Sequence, residues 1–166
     1  MLIRELTTSE RELQAQLGAL TVRAYRTPFP DIDDDEYATE LADVARRVAV
    51  AVVLVALEGD DLLGGVTYVP GPASPLAEFD APGAASIRML AVEPLGRGRG
   101  VGEALVVACL DRARAAGRSE VVLHSSDRME AAHRLYGRMG FRRAEELDWS
   151  PQPDLPLLGF RLALSS

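Results

Sequence analysis

The sequence predicts a single domain of the α/β (α+β) class that covers residues 1–166. Three observations support this prediction. The length of 166 residues suits one ordinary domain. Hydrophobic residues make up 48% of the chain and charged residues 26%, which is typical of a folded protein with its own core. Strand-like and helix-like segments alternate, and one strand is followed by a glycine-rich turn and a helix.

The N-terminal third is predicted to contain one strand and two helices. Residues 2–6 form the strand, and residues 9–12 have the serine and glutamate spacing of a capping box that begins a helix ending near Arg26. Residues 31–35 supply acidic side chains ahead of a second helix, which ends near Arg47. Acidic groups favour the start of a helix and arginines its end because of the helix dipole.

A hairpin and a long loop follow. The valine-rich run of residues 49–58 predicts a strand covered on both faces, and residues 59–61 predict a turn. Residues 62–69 then return as the second strand of the hairpin. Residues 70–83 contain four prolines and two glycines, which predicts an irregular loop.

The second half of the chain is predicted to continue the alternation. The expected elements are a strand at 86–92, a helix at about 100–116, a strand at 121–123, a helix capped by Asp127 and ending near Met139, and strands at 142–148 and 157–164. The first of these helices has an apolar face made of Val101, Leu105, Ala108 and Cys109.

The glycine-rich turn Arg97-Gly98-Arg99-Gly100-Val101-Gly102 predicts a binding site for a pyrophosphate group. The start of a helix exposes unpaired backbone amides and a partial positive charge, which favour phosphate. Glycines let a ligand approach the backbone closely. Arg97 and Arg99 add charges that can pair with phosphate oxygens.

The spacing argues against two familiar nucleotide sites. A dinucleotide fingerprint needs a third glycine, but Glu103 or Val101 stands there, depending on which glycine starts the motif. All 18 basic residues are arginine, so the lysine of a nucleotide P-loop is missing and a Schiff base is excluded. A nucleotide-binding module that does not use CoA stays as a minor alternative.

Two motifs carry a resemblance to a known family. The Arg-x-x-Gly-x-Gly pattern that starts at Arg97, preceded by Val92-x-Pro94, resembles the acetyl-CoA-binding motif of the GNAT superfamily of N-acetyltransferases. Downstream, residues 132–141 are similar to that family's Ala-x-x-Leu-Tyr-x-x-x-Gly-Phe segment. The resemblance is specific over residues 86–149 and places the acetyl-CoA-binding core at about 86–141.

The resemblance implies a fold and a cosubstrate. The expected fold is a mixed, mostly antiparallel sheet of about six to seven strands flanked by about four helices. Acetyl-CoA is the expected cosubstrate, bound between two strands that splay apart. The implied cofactor contacts are Leu90, Ala91 and Val92 to the pantetheine arm, Arg97, Gly98, Arg99, Gly100, Val101 and Gly102 to the pyrophosphate, and also Ser126 and His133.

The resemblance also implies catalytic roles. Tyr136 occupies the position of the family's proton donor to the departing thiolate, and a backbone amide near Met89 or Leu90 would face the thioester oxygen. Many relatives carry a glutamate base where this chain has Ser86, and an asparagine where it has Met129. The general base therefore has to be sought elsewhere.

Several residues are candidates for the base or for acceptor binding. Glu78 and Asp80 in the long loop come first, followed by Glu36, although the simpler interpretation of each is a solvated surface carboxylate. The acidic run of residues 31–36 could attract a cationic amine. His124 at a strand end has a possible catalytic or substrate role. Trp149 either lines the acceptor pocket or, more simply, belongs to the core.

Composition argues against several other functions. The net charge of −7 argues against binding nucleic acid through its phosphates. The single Cys109 allows no internal disulfide and no cysteine-based metal site, which favours a reducing cytoplasm. The longest apolar run, residues 48–57, is shorter than the roughly 18 residues of a membrane span, and the N-terminus lacks the pattern of a signal peptide. We therefore expect a cytoplasmic protein with no metal, nucleic-acid or membrane partner.

The sequence thus predicts an N-acetyltransferase that moves an acetyl group from acetyl-CoA directly to a primary amine in a ternary complex. The acceptor is a small-molecule or peptide amine, and a homodimer is possible. Transfer of another acyl group, or silent binding of acyl-CoA by a sensor, is the alternative. Direct transfer needs a proton acceptor for the amine and a proton donor for the thiolate, but no nucleophile on the enzyme.

Overall fold

A computed structural model describes residues 1–165. The strands are β1 Leu2–Glu5, β2 Val52–Glu58, β3 Asp61–Val69, β4 Ala84–Val92, β5 Glu120–Ser126, β6 Arg142–Arg143, β7 Trp149–Gln152 and β8 Leu155–Ala163. The α-helices are α1 Arg11–Tyr25, α2 Tyr37–Ala42, α3 Val44–Val50, α4 Val101–Ala115 and α5 Glu130–Arg138. Short 3-10 helices occur at Ile32–Asp34, Pro94–Gly96 and Glu145–Leu147.

One mixed sheet organises the whole fold. Its strand order is β1-β2-β3-β4-β5-β8-β6, and β7 also pairs with β8. Every pairing is antiparallel except the one between β4 and β5. The predicted mixed, mostly antiparallel α/β class is confirmed, as is the hairpin of β2 and β3.

Helices cover both faces of this sheet. Alternate residues of a strand point to opposite faces, so one strand contributes to both core clusters. Leu54 and Ala56 of β2 belong to a core cluster with residues of α4 and α5. Val53 and Val55 of the same strand pack instead in a cluster with α1 and α3. Cys109 is completely buried on the α4 side, as its place on the apolar helix face predicts.

The predicted second helix is wrong, because the chain breaks it into α2 and α3. The Asp43 carboxylate accepts a hydrogen bond from the Arg46 amide at 3.2 Å and so caps a new helix. The Arg47 guanidinium is buried and donates to the carbonyls of Glu40 (2.7 Å) and Leu41 (3.0 Å) at the end of α2. Helix α3 therefore continues past Arg47 to Val50, and β2 starts later than the apolar run suggested.

Two predicted helix caps are also wrong. Glu10, not Ser9, is the N-cap of α1, and its carboxylate accepts a hydrogen bond from the Thr7 amide at 3.0 Å. A salt bridge of 2.7 Å to Arg4 holds this carboxylate in place and, with the Thr7 hydrogen bonds, lowers the pKa of Glu10 to about 2.

At α5 the N-cap is Met129 rather than Asp127, and no side chain caps this helix. The Ser126 hydroxyl accepts a hydrogen bond from the Arg128 amide at 3.2 Å and shapes the turn before the helix. The predicted strand at residues 142–148 is likewise split. Only two of its residues pair with β8, a 3-10 helix follows, and β7 begins at Trp149. This split accounts for the additional strand.

Candidate active site

An opening in the sheet lies between β4 and β5. These parallel strands pair only at Ala84–Glu120, Ala85–Val121 and Ser86–Val122. Beyond these positions β4 continues along β3 as far as Val92, and β5 continues along β8 as far as Ser126. The facing edges therefore separate, which leaves a wedge-shaped space that we call the splay.

A bulge in β4 lies within the splay. The register against β3 shifts between Gly65 and Thr67, so that β4 holds one residue more than its partner. At this point Met89 has a positive φ of 54°, which is rare for a residue other than glycine. A bulge leaves backbone groups unpaired and changes their direction. The Met89 and Leu90 amides, predicted to face a thioester oxygen, therefore lie at an irregular point of the strand edge.

The glycine-rich turn follows β4 directly and leads into α4. Gly98 and Gly100 have φ values of 83° and 76°, which side chains rarely tolerate, and Gly100 is the N-cap of α4. No amide of residues 98–103 donates a hydrogen bond to another group of residues 1–165. A Cβ built at Gly98 or Gly100 would meet nothing within 4 Å. This row of free amides next to open space suits an anionic group.

The two arginines of this turn differ in their surroundings. Arg99 forms an ion pair with Glu58, and both side chains are about half exposed. Arg97 is exposed and has no ion pair within the described residues. Because an exposed pair contributes little stability, either arginine could exchange its present surroundings for a phosphate.

Tyr136 is buried on α5, between the rings of Phe141 (5.5 Å) and Phe160 (6.1 Å). Its hydroxyl makes no hydrogen bond with the described residues. Burial raises the pKa of Tyr136 well above the usual tyrosine value, with a smaller contribution from nearby Cys109. The hydroxyl therefore keeps its proton at neutral pH, as a proton donor must.

The two histidines lie on opposite faces of β5. His124 is on β5 itself, with Nε2 2.8 Å from the Leu147 carbonyl oxygen and its ring edge-on to Trp149. His133 is on α5, with Nε2 3.1 Å from the Ser125 hydroxyl. Burial lowers the pKa of His133. Trp149 is 43% exposed, so the preference for a core position was wrong.

Of the three predicted acidic residues, the structure brings one to the splay. The Glu78 carboxylate lies 2.8 Å from the Arg88 guanidinium, and Arg88 stands on β4 immediately before the bulge. Glu40 approaches the same guanidinium at 3.7 Å. Glu36 and Asp80 are exposed and have no ion pair in the described part of the chain.

Sequence reasoning missed Arg88 and Glu40. A signal for Arg88 was present, because it is the single charged residue in the segment 84–92. Nothing comparable marked Glu40, which reaches Arg88 only through the packing of α2.

Aromatic residues cover the splay on the α1 side. Tyr25 stacks on Phe29 at 6.3 Å and meets Tyr37 edge-on at 6.4 Å. The Arg128 guanidinium lies over the Phe29 ring at 5.4 Å, so the segment after α1 reaches the turn after β5. Burial raises the pKa of Tyr25 and Tyr37. Both phenols are therefore neutral and can serve as hydrogen-bond donors.

The sequence itself decides the family. Residues 16–141 match the model of the acetyltransferase (GNAT) family, and this span is most of the chain. The chain belongs to the GNAT family. The resemblance seen in the sequence is therefore confirmed.

Known GNAT relatives agree in sequence and in fold. N-acetyltransferase family 8 member 5 of Mus musculus is 33% identical over 118 residues, which are 70% of this chain. The chain spans about half of the length of that curated relative (50%). A GNAT-family protein from Desulfovibrio desulfuricans superposes with a TM-score of 0.72 at 21% identity, covering 99% of both chains.

Two further structures share this fold and were solved with a CoA ligand. An aminoglycoside 6′-N-acetyltransferase complexed with coenzyme A has a TM-score of 0.74 at 15% identity and covers 100% of this chain and 98% of its own. A Salmonella typhimurium protein solved with acetyl-CoA has a TM-score of 0.67 at 19% identity, covering 99% and 94%. At these identities the likeness concerns the fold.

Two negative observations complete the description of residues 1–165. Within this range none of the helices has both the length and the apolar character of a membrane span. Over the same range, no three His, Cys, Asp or Glu side chains are grouped so that they could hold a metal ion.

Proposed function

We propose that this GNAT protein transfers the acetyl group of acetyl-CoA directly to a primary amine, with both substrates bound together. The observation that carries the proposal is the continuity of the splay with the turn at residues 98–103, whose amides have no partner within the described residues. A long ligand with a pyrophosphate at one end and a reactive thioester at the other fits this arrangement.

The residues present suit acetyl-CoA. The free amides and the two arginines of the turn would hold the pyrophosphate. The unpaired edge of β4 at Leu90, Ala91 and Val92 would meet the amide groups of the pantetheine arm. Ser126 is engaged by its own turn and His133 by Ser125, so these two are weaker candidates for cofactor contacts.

The same geometry supports direct transfer. A backbone amide at the β4 bulge would donate to the thioester oxygen as negative charge develops there. The protonated Tyr136 hydroxyl, which makes no hydrogen bond within residues 1–165, would supply the proton for the leaving thiolate. Bound acetyl-CoA supplies the activated acetyl group.

The acceptor side of the splay favours a cationic amine, from either a small molecule or a peptide. Two carboxylates, Glu40 and Glu78, share the one guanidinium of Arg88. The acidic segment 31–36 comes shortly before Glu40 in the sequence. The aromatic rings of Tyr25, Phe29 and Tyr37 add faces that attract cations. A net charge of −7 acts in the same direction.

The test is turnover of the purified protein with acetyl-CoA and a panel of amines, including polyamines, aminoglycosides and peptides with a free N-terminus. Release of CoA thiol measures the rate, and mass spectrometry identifies the acetylated amine. We expect amine-dependent thiol release and a mass gain of one acetyl group. Binding of acetyl-CoA without transfer to any amine would favour the sensor alternative, and transfer only from longer acyl-CoA would favour the other acyl groups.

A further inference from the structure

We infer that His124 is the general base that removes the proton from the acceptor amine. The inference rests on the proposed function, because a base of this kind is needed only if an amine is acylated. It concerns a residue that the cofactor contacts do not use, and it assigns the proton acceptor that the carboxylate candidates left open.

The strand register places His124 on the part of β5 that borders the splay. The last pairing of β4 with β5 is Ser86–Val122, and His124 stands two residues further along β5, on the same face as Val122. Arg88 holds the equivalent position on β4. Leu123 belongs to the core on the α4 side and Ser125 contacts His133 of α5, so His124 faces the α1 side, where the acceptor is expected.

One hydrogen bond fixes the protonation pattern of the neutral ring. Nε2 of His124 lies 2.8 Å from the Leu147 carbonyl oxygen. A carbonyl can only accept, so Nε2 must carry the hydrogen. The lone pair of a neutral imidazole is then on Nδ1, which makes no hydrogen bond to any group of residues 1–165.

The carbonyl that orients His124 is itself held firmly. The Leu147 amide donates to the Ala144 carbonyl at 2.9 Å within the 3-10 helix. The next residue, Asp148, accepts hydrogen bonds from the Gly159 amide at 2.6 Å and from Arg143 at 2.9 Å. The Asp148 carboxylate is thereby engaged by Arg143 and by the Gly159 amide, which anchors the segment that carries the Leu147 carbonyl.

The other candidates are less suited to this role. Glu78 lies 2.8 Å from Arg88, so its carboxylate is already engaged in an ion pair. Glu36 and Asp80 are exposed to solvent, where no contact directs them to the splay. Among the titratable groups described, His124 combines a position on a strand that borders the splay with an unengaged lone pair.

With this assignment, every proton that moves in the reaction has a named donor and a named acceptor. Nδ1 takes one proton from the acceptor ammonium, and the lone pair so released forms the C–N bond with the thioester carbon. When the C–S bond breaks, its electron pair stays on sulfur, and Tyr136 protonates that sulfur. The second proton of the acceptor nitrogen restores the Tyr136 hydroxyl, and His124 returns its own proton to solvent.

The first test is the variant His124→Gln, compared with the wild-type protein under identical conditions. Glutamine can keep a donor for the Leu147 carbonyl but cannot accept a proton. We expect kcat/KM for the amine to fall by roughly 10²–10⁴-fold. The Kd of acetyl-CoA should change less than about twofold, because the pyrophosphate contacts are untouched.

The outcomes of this test are distinct. Turnover by His124→Gln within about threefold of the wild type overturns the base assignment alone. Absence of turnover by the wild type with every amine overturns the proposed function, and the base assignment with it. Recovery of His124→Gly turnover on addition of free imidazole supports the assignment.

The second test needs neither a variant nor turnover. The chain has two histidines, so the ring nitrogens of the wild-type protein can be assigned individually by long-range ¹⁵N–¹H correlation. At a pH where the ring is neutral, His124 should carry its proton on Nε2. A proton on Nδ1 would leave that nitrogen without a lone pair to accept the amine proton and would overturn the inference.

Discussion

At the scale of single residues, Tyr136 offers a clean test of the catalytic acid. The variant Tyr136→Phe keeps the buried ring between Phe141 and Phe160 and removes only the hydroxyl. We expect kcat to fall by roughly 10²–10⁴-fold with little change in the KM for acetyl-CoA, because the lost contact matters when the thiolate forms. Steady-state kinetics measure both.

A matched control is available in Tyr68→Phe. The Tyr68 hydroxyl is buried on β3 and also has no partner within the described residues, but it belongs to the core. Removing it should leave kcat unchanged and should not lower stability, since no hydrogen bond is lost. A Tyr136→Phe protein as active as the control would show that water or another group donates the proton.

Arg97 tests the pyrophosphate contact. The variant Arg97→Ala removes an exposed guanidinium that has no ion pair in the described structure. We expect CoA to bind more weakly by about 1.5–3 kcal/mol, the value of a charged hydrogen bond. Isothermal titration with CoA measures the loss. Arg114→Ala, at the opposite end of α4, is the control and should bind CoA like the wild type.

Single residues could be predicted from the sequence where a short, contiguous motif contains them. The glycines of the turn after β4 were found from their spacing, and two of them have the positive φ that only glycine readily adopts. Glu40 and the Leu147 carbonyl could not be found in this way, because they meet their partners only through tertiary packing. The catalytic role of Tyr136 stays a prediction.

At the scale of secondary-structure elements, Arg47 holds the junction of α2 and α3. Its buried guanidinium satisfies the carbonyls of Glu40 and Leu41, and burial lowers its pKa. The variant Arg47→Met would leave both carbonyls without this donor, so we expect the free energy of unfolding to fall by about 2–3 kcal/mol. Urea denaturation measures the change.

The adjacent Arg46 supplies the control for this prediction. Its side chain is exposed and makes no hydrogen bond or ion pair within residues 1–165. Arg46→Met should therefore change the free energy of unfolding by less than about 0.5 kcal/mol. Equal losses in the two variants would show that the helix junction does not depend on the Arg47 contacts.

Strands and long helices were predicted better than short helices and caps. The runs that became β2, β3, β4 and α4 have strong apolar patterns, and their predicted bounds differ from the structure by at most a few residues. The split of the second helix depends on the Asp43 carboxylate and on the hydrogen bonds from the Arg47 side chain to the end of α2. Neither leaves a periodic signal, so the pattern predicted one continuous helix.

At the scale of the whole molecule, the family motifs predicted the topology more fully than the residue pattern could. Alternating strands and helices alone are equally typical of a parallel sheet with a helix between successive strands. The mixed sheet with one parallel pairing was expected only through the resemblance to GNAT proteins, and the structure confirms it. Oligomeric state and acceptor identity stay predictions.

The short parallel pairing of β4 with β5 makes the sheet two plates joined along a narrow seam. A ligand that lies in the splay would touch both plates, and would therefore act as a mechanical brace across the seam. CoA at 100 times its Kd should stabilise the protein by about 2.7 kcal/mol, and raise its melting temperature by roughly 5–10 °C.

Hydrogen exchange would locate this brace. Amides of residues 84–86 and 120–122 at the seam should exchange more slowly with CoA bound, in addition to those of residues 98–103. Protection restricted to the turn would mean that the plates are rigidly joined without the ligand. With slower exchange at the seam, the bound CoA itself becomes a part of the framework that aligns one half of the molecule with the other.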